Sequence, residues 1–564
     1  MPVGALLYDR AGLLDRSGSH DGERRSVDLA APVRFVTCLV VAGQHVGRAD
    51  DPAQRAQQFV MHSMAPPIFF RRHSAILLAS LAEDPCLGKG CFAVRFTVAP
   101  RRRSGAGASV LQCETAPHGQ GALIYCLGIG RCAALAAVGE KPLRSHRNKN
   151  IRCVDGTMDQ KFADYFVKPL ESPIRALFPY LKDPSIIGFA GGNPAVDVFD
   201  VAGLREAMAE AMCASADGWA QYSATDGLPR LRQAIIGYMG RRGAPVDEAS
   251  LLLTAGSQQA LDLLARVLVN PGDRIIVERP TYPTAIQTFK SAGARLVGVD
   301  SGPDGICLAH LRSILVESSA GGRPKALYCV PTFGNPTGRT FSAQNRRGLL
   351  ALASEFDLLI IEDDPYSALS FESLDLPSLH RLAQQDASTS GLVVYLSSLS
   401  KVMAPGMRIG WMIGAAALVR RCAIAKQSVD LCSSTWTQAA AAVYLEAGRL
   451  EAHLPRACEV YAERALAMQS CLSSLLGDRF EFDAPRGGMF IWGRFPARVN
   501  TQALLKACIA QGVVFVPGDA FYADDADGST ARLCFSMCSP DRIEAGVRRL
   551  AQALDRYQAG QVAD

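Results

Sequence analysis

No run of apolar residues in this sequence approaches the roughly 18 needed to cross a bilayer as a helix. The opening stretch, MPVGALLYDRAGLLDRSG, is broken by Asp9 and Asp15. It lacks the basic start and apolar run of a secretory leader. The 17 cysteines show no metal-ligand spacing. Cys86 and Cys91 of CLGKGC stand without a second pair or a histidine at zinc-site distance, so no metal is expected. Free thiols without a leader point to a reducing cytoplasm and exclude a disulfide scaffold.

Charge is unevenly spread. Residues 1–157 carry 20 Lys and Arg against 12 Asp and Glu, and the remainder carries 39 against 42. Stretches such as RRRSGAGAS (101–109) and RSHRNKN (144–150) read as flexible and basic. Such a segment is a candidate for nucleic-acid contact. It has, however, no helix-turn-helix pattern, no zinc knuckle and no interleaving of aromatic with basic residues, so nucleic-acid binding is not expected. Its apolar runs show no sustained period. Residues 1–157 are therefore read as a poorly structured basic extension, disordered or preceding a true start at Met158, with a small folded accessory domain as the alternative.

Beyond that point order sets in. GDRIIVERP (272–280), KALYCVP (325–331), DLLIIEDD (357–364) and LVVYLSS (392–398) hold short apolar runs bounded by Gly, Pro, Asp or Ser, separated by amphipathic stretches such as 257–270 and 343–356. Strands alternating with helices predict an α/β fold, a mostly parallel mixed sheet covered by helices on both faces. The expected division is an N-terminal arm at 158–200, a large domain at 201–445 and a smaller α+β domain at 446–564.

Polar clusters fall where those strands end, the place where ligands bind such sheets. Ser257 and Gln258 open a helix after LLLTAG, where free amides favour a phosphate; an ordinary capping serine explains Ser257 alone. Tyr282 stands between two prolines, and Asn335 lies in NPTG, a restrained turn. Asp363 and Asp364 close an apolar strand, costly unless partnered, and Tyr366 follows. SSLSK then sets Lys401 among serines, with Arg408 seven positions on.

One chemistry uses all of them. A lysine kept near neutrality forms a Schiff base with an aldehyde. Pyridoxal phosphate needs that lysine, an acid facing its ring nitrogen, donors to its phenolic oxygen and a bed for its phosphate. Lys401, Asp363, Asn335 with Tyr366, and Ser257, Gln258, Ser398, Ser400 with Arg408 supply these in turn, and Tyr282 a ring face.

NPTG, DDPY and SLSKVMAPGMRIGW resemble the class I/II aminotransferases of pyridoxal-phosphate fold type I. SPIRALF, FAGGNP, YSATDGLPRLR, AGSQQALDLL and PRGGMFIW resemble the 2-aminoadipate/kynurenine aminotransferases within it. The resemblance covers roughly 170–560 and implies a homodimer with shared sites. Tyr222 is then expected to reach the neighbouring subunit's phosphate, and Arg532 to pair with the substrate α-carboxylate. Gly192 and Arg175 are expected on a mobile part that closes over the substrate. The implied reaction moves an amino group from an L-amino acid to a 2-oxo acid such as 2-oxoglutarate. Ser397 departs from the glycine many relatives carry. Lyases and decarboxylases share the cofactor scaffold, and some transcriptional regulators carry the domain behind a winged helix. No recognition helix of that kind is found in 1–157.

Overall fold

The computed structural model describes residues 75–83, 92–100, 161–167, 172–317, 322–373 and 376–560. The chain divides into two units, 1–145 and 146–564. In the first, Ala75–Glu83 (β1) pairs antiparallel with Phe92–Pro100 (β2). The sequence reading placed no strand there, because AILLASLAE is apolar in consecutive positions and only β2 alternates. The rest of the expected extension lies outside the described residues.

The second unit is built on an eight-stranded sheet. Its strands are Leu251–Thr254 (β4), Arg274–Arg279 (β5), Arg295–Gly302 (β6), Gly305–Ile306 (β7), Ala326–Cys329 (β8), Leu359–Asp363 (β9), Val393–Ser398 (β10) and Gly410–Ile413 (β11). The order is β4-β11-β10-β9-β8-β5-β6-β7. From β10 through β6 every pairing is parallel. Strand β11 is antiparallel to both β10 and β4. So β4, β5, β6, β8, β9 and β10 all end at one edge of the sheet, and β11 begins there. Residues after the first set and before β11 converge on that edge, which is how Arg408 returns to Lys401.

Alternation along each strand divides the core between two faces. Ile275, Val277, Tyr328, Ile361, Val394 and Leu396 belong to one cluster with Leu264 and Trp411. Ile276, Leu327, Cys329, Ile360 and Val393 belong to the other with Leu349 and Leu352. A strand buried on both sides cannot alternate in polarity, which is why these runs read as continuously apolar. The helix Ser257–Leu268 starts behind Gly256 at φ 91°. The helix Ala343–Phe356 is capped by the Ser342 side chain and stopped by Asp357 in the left-handed region, φ 52°.

The C-terminal part carries Glu481–Phe482 (β12), Phe490–Arg494 (β13), Val516–Pro517 (β15) and Thr530–Cys534 (β16) as an antiparallel sheet ordered β12-β13-β16-β15. Ile187–Gly188 (β3) pairs in parallel with Val513–Val514 (β14). This ties the segment bearing Gly192 to the small sheet. No described helix is long and apolar enough to cross a membrane.

Candidate active site

Lys401 follows β10 at the convergent edge. Its Nζ donates to the Gly192 carbonyl at 2.7 Å. Burial pulls its pKa down to about 8, helped by Arg532 and Arg408. An amine held there is still mostly protonated near physiological pH, but its neutral fraction is far larger than an ordinary lysine's, as carbonyl condensation requires.

Strand β9 ends in three carboxylates, and the two-residue period aims them differently. Glu362 faces the second core cluster, where it accepts the amides of Leu379 and His380 at 2.8 Å each. Asp364 accepts the Tyr395 hydroxyl at 2.8 Å and the Ser367 hydroxyl at 2.7 Å. Asp363 Oδ2 accepts the Tyr328 hydroxyl at 2.8 Å. Asp363 Oδ1 is buried with no partner. Burial pushes the Asp363 pKa up to about 7, against the lowering effect of the Tyr328 bond.

Ser257 and Gln258 are the first two residues of their helix, whose leading amides have no acceptor within the helix. Glycines let Arg408 and the following strand approach them closely. A Cβ on Gly256 would lie 2.6 Å from Arg408 Nη2, and one on Gly410 would lie 2.6 Å from the Gly256 carbonyl carbon and 2.8 Å from Ser257 N. Arg408 has φ 53° and its Nη2 donates to the Ala255 carbonyl at 2.6 Å. Ser398 Oγ donates to the Ile409 carbonyl at 2.9 Å and accepts the Ser400 amide at 3.0 Å. Ser400 Oγ is 3.5 Å from Arg408 Nη1. Helix amides, two hydroxyls and a guanidinium brought together by close-packed glycines have the chemistry to suit an anion.

Arg532, on β16, is 1% exposed. Its Nη1 donates to Asn335 Oδ1 at 2.8 Å and its Nη2 to the Ala190 carbonyl at 2.6 Å. Its guanidinium carbon lies 4.4 Å from the Phe490 ring centre and 5.0 Å from that of Phe521. Nε has no partner. Burial lowers its pKa from the ordinary arginine value, and no carboxylate among the described residues pairs with it. Tyr366 packs edge-on against Phe490 with centres 5.7 Å apart. A Cβ on Gly192 would lie 3.1 Å from Phe490 Cζ. Tyr282 precedes the helix Pro283–Ser291. Burial raises its pKa, and the charges of Asp363, Arg532 and Arg175 are all felt at its hydroxyl.

Thus Lys401, Asp363, Tyr366, Asn335, Tyr282, Arg532 and Gly192 share one centre, with the Ser257–Arg408 cluster beside it. Arg175 sits exposed on the turn Arg175–Leu177. Tyr222 is 75% exposed and makes no described side-chain contact with this centre. The sequence reading missed Tyr328, Phe490, Phe521 and Gln259. The tyrosine in ALYC was the available signal for the first. Cys329, Cys534 and Cys538 are buried free thiols.

The sequence matches the family described as aminotransferase class I and II over residues 184–550. Aromatic-amino-acid aminotransferase 1 of Thermococcus litoralis is 37% identical over 385 residues, which cover 68% of this chain and 91% of that protein. The fold is similar to the crystal structure of a Pyrococcus horikoshii kynurenine aminotransferase in complex with PMP, with KYN as substrate and KYA as product. The TM-score is 0.68 at 36% identity, covering 72% of this chain and 99% of that one. It is also similar to LysN, an alpha-aminoadipate aminotransferase of Thermus thermophilus complexed with N-(5'-phosphopyridoxyl)-L-leucine. There the TM-score is 0.66 at 33% identity, covering 71% and 98%.

Proposed function

This chain belongs to the class I and II aminotransferases, and from that premise we propose how its residues divide the work of a pyridoxal-phosphate-dependent transaminase. The residues present fit the cofactor. Asp363 Oδ1 is a buried acceptor without a donor, and Gly256 and Gly410 let the Arg408 guanidinium and the leading amides of the Ser257 helix gather closely, as a phosphate would need. Bound pyridoxal phosphate supplies an aldehyde for an amine to condense with and a ring that accepts the electron pair left at Cα.

The observation that carries the assignment is the unpartnered Asp363 Oδ1 beside the half-buried Lys401. In the sheet Asp363 is paired with Leu396, five residues before Lys401, so the two stand at the ends of adjacent strands. Asp363, oriented by Tyr328, would pair with the ring nitrogen. Tyr366 and the Asn335 amide would hold the phenolic oxygen, and Tyr282 would supply an aromatic face. Ser257, Gln258, Ser398, Ser400 and Arg408 would bind the phosphate. Arg532 takes the substrate carboxylate, since a planar fork flanked by two aromatic rings suits that anion. Lys401 Nζ, as a neutral amine, would be the base that takes the proton from the substrate Cα. Gly192 O keeps the amine positioned near it.

The amino donor is of the aromatic or 2-aminoadipate class. The support is the names of the relatives together with Arg175, a cation near Tyr282 that suits a distal carboxylate. The acceptor is 2-oxoglutarate. Two chains form the working unit, each lending Tyr222 to the other's phosphate; the support is its exposure and the lack of any described side-chain contact with its own chain's centre. The test is turnover with a panel of amino acids and 2-oxoglutarate, read by the 2-oxo acid released. Lys401→Ala abolishes turnover. Release of CO₂ or ammonia without a 2-oxo acid would replace transamination with lyase chemistry.

A further inference from the structure

The loop that presents the phosphate-binding amides is held from behind by a chain of polar side chains that the assignment above does not use. Lys426 is wholly buried on the helix Ala416–Gln427. Its Nζ lies 2.9 Å from Asp430 Oδ1. Asp430 Oδ2 accepts the Gln259 side-chain amide at 2.8 Å. Gln259 Oε1 accepts the Ala255 backbone amide at 2.8 Å. The Ala255 carbonyl then accepts Arg408 Nη2 at 2.6 Å. Ala255 is gripped on both sides, by Gln259 at its N–H and by Arg408 at its C=O. Gly256, the next residue, has φ 91°, a conformation that frees the loop to take other shapes unless something fixes it.

We propose that Gln259, held by the pair of half-buried Asp430 and buried Lys426, is a positioning residue for the cofactor phosphate, setting both the Ala255–Ser257 loop and the Arg408 guanidinium that bind it. A single amide reads the relay's two ends. Its oxygen fixes the loop, and its nitrogen is locked by an aspartate that a buried lysine orients. Turned the other way, the amide would set its N–H against the Ala255 N–H and its oxygen against a carboxylate, so only one arrangement satisfies all four groups. A buried lysine is tolerated because Asp430 neutralises it, and the pair adds no net charge to the phosphate bed.

The inference rests on the phosphate assignment, so the experiment tests both. Affinities of cofactor-free protein are measured for pyridoxal phosphate and for pyridoxal, which lacks the phosphate. Gln259→Met is expected to weaken pyridoxal phosphate about tenfold and to leave pyridoxal unchanged, with the melting temperature of the cofactor-free protein recorded alongside. Equal weakening of both ligands reduces Gln259 to a structural role and overturns the proposal, as does no change in either. Arg408→Gln serves as the reference. If it too fails to separate the two ligands, the phosphate assignment falls. If it separates them and Gln259→Met does not, only the relay falls. Gln259→Glu keeps an acceptor for the Ala255 amide and loses the donor to Asp430; a wild-type ratio in that variant overturns the part given to Asp430 and Lys426.

Discussion

Arg532 and Asn335 are joined by a 2.8 Å bond from Nη1 to Oδ1, and that bond leaves the buried guanidinium charged and without a carboxylate among the described residues. A buried cation with an idle Nε is a standing cost that an entering carboxylate relieves. Replacing Arg532 with Gln is expected to raise the KM of both the amino donor and the 2-oxo acceptor by roughly 10- to 100-fold, the loss of a charge-assisted pair. The visible spectrum of the bound cofactor stays in place. Steady-state kinetics on both half-reactions check this. Unchanged KM values would move the carboxylate site elsewhere.

Asp363 sets a pH dependence whose sign can be worked out. Its pKa in the folded, cofactor-free protein is about 7, raised by burial, against about 3.9 in an unfolded chain. Between those values the native state binds more protons than the unfolded state. Stability contributed by this group is therefore present below the unfolded pKa and falls as pH rises towards 7. Glu362, at about 7, and Glu278, at about 8, act with the same sign. Asp363→Asn removes one of the three. Near pH 8 the cofactor-free variant is expected to melt a few degrees above the wild-type protein, and the two converge as the pH approaches 4. Transamination falls at least about a hundredfold in the same variant. A variant that melts lower than wild type near pH 8 would show that Asp363 is not paying an ionisation penalty.

Much of this centre was legible because it consists of side chains at strand ends. SSLSK, DDPY and NPTG each put an unusual residue where a buried strand meets solvent, and the parallel sheet gathers those ends on one edge. What escaped detection belongs to other kinds of atom. The Gly192 carbonyl that holds Lys401 is backbone and leaves no mark in the sequence. Tyr328 lies inside an apolar run, where a tyrosine reads as one more β-former, and only the register of β8 against β9 brings its hydroxyl to Asp363. Phe490 and Phe521 flank Arg532 from separate stretches, so their meeting is a product of tertiary packing. Gln259 stood one residue beyond the assigned pair, and its role needs Asp430, 171 positions away. In the first unit, β1 was missed because its apolar residues do not alternate.

The neutral fraction of Lys401 governs how fast the cofactor-free protein takes up its cofactor. With burial holding the pKa at about 8, the rate at which the visible band grows after adding pyridoxal phosphate should climb with pH and level off just above 8. An unperturbed lysine would keep climbing towards about 10.4. Lys401→Arg should give no band at any pH. A plateau displaced to the higher value would mean that the ammonium is solvated in the free protein and that the Gly192 contact does not exclude water.

Tyr222 lies 75% exposed, and its assignment to a neighbouring subunit has a direct genetic test. Lys401→Ala removes the reacting amine, and Tyr222→Ala removes the phosphate contact. Each variant alone should turn over poorly, the first not at all. Mixed and allowed to exchange subunits, they form hybrids in which one site has an intact Lys401 and receives Tyr222 from the other chain. Activity should then return to at most about a quarter of wild type, since random reassortment makes half the dimers hybrid and each hybrid has one complete site. If Tyr222 served its own chain, every site in the mixture would lack one residue or the other. Mixing would then restore nothing, and the exposed face around Tyr222 would need another explanation.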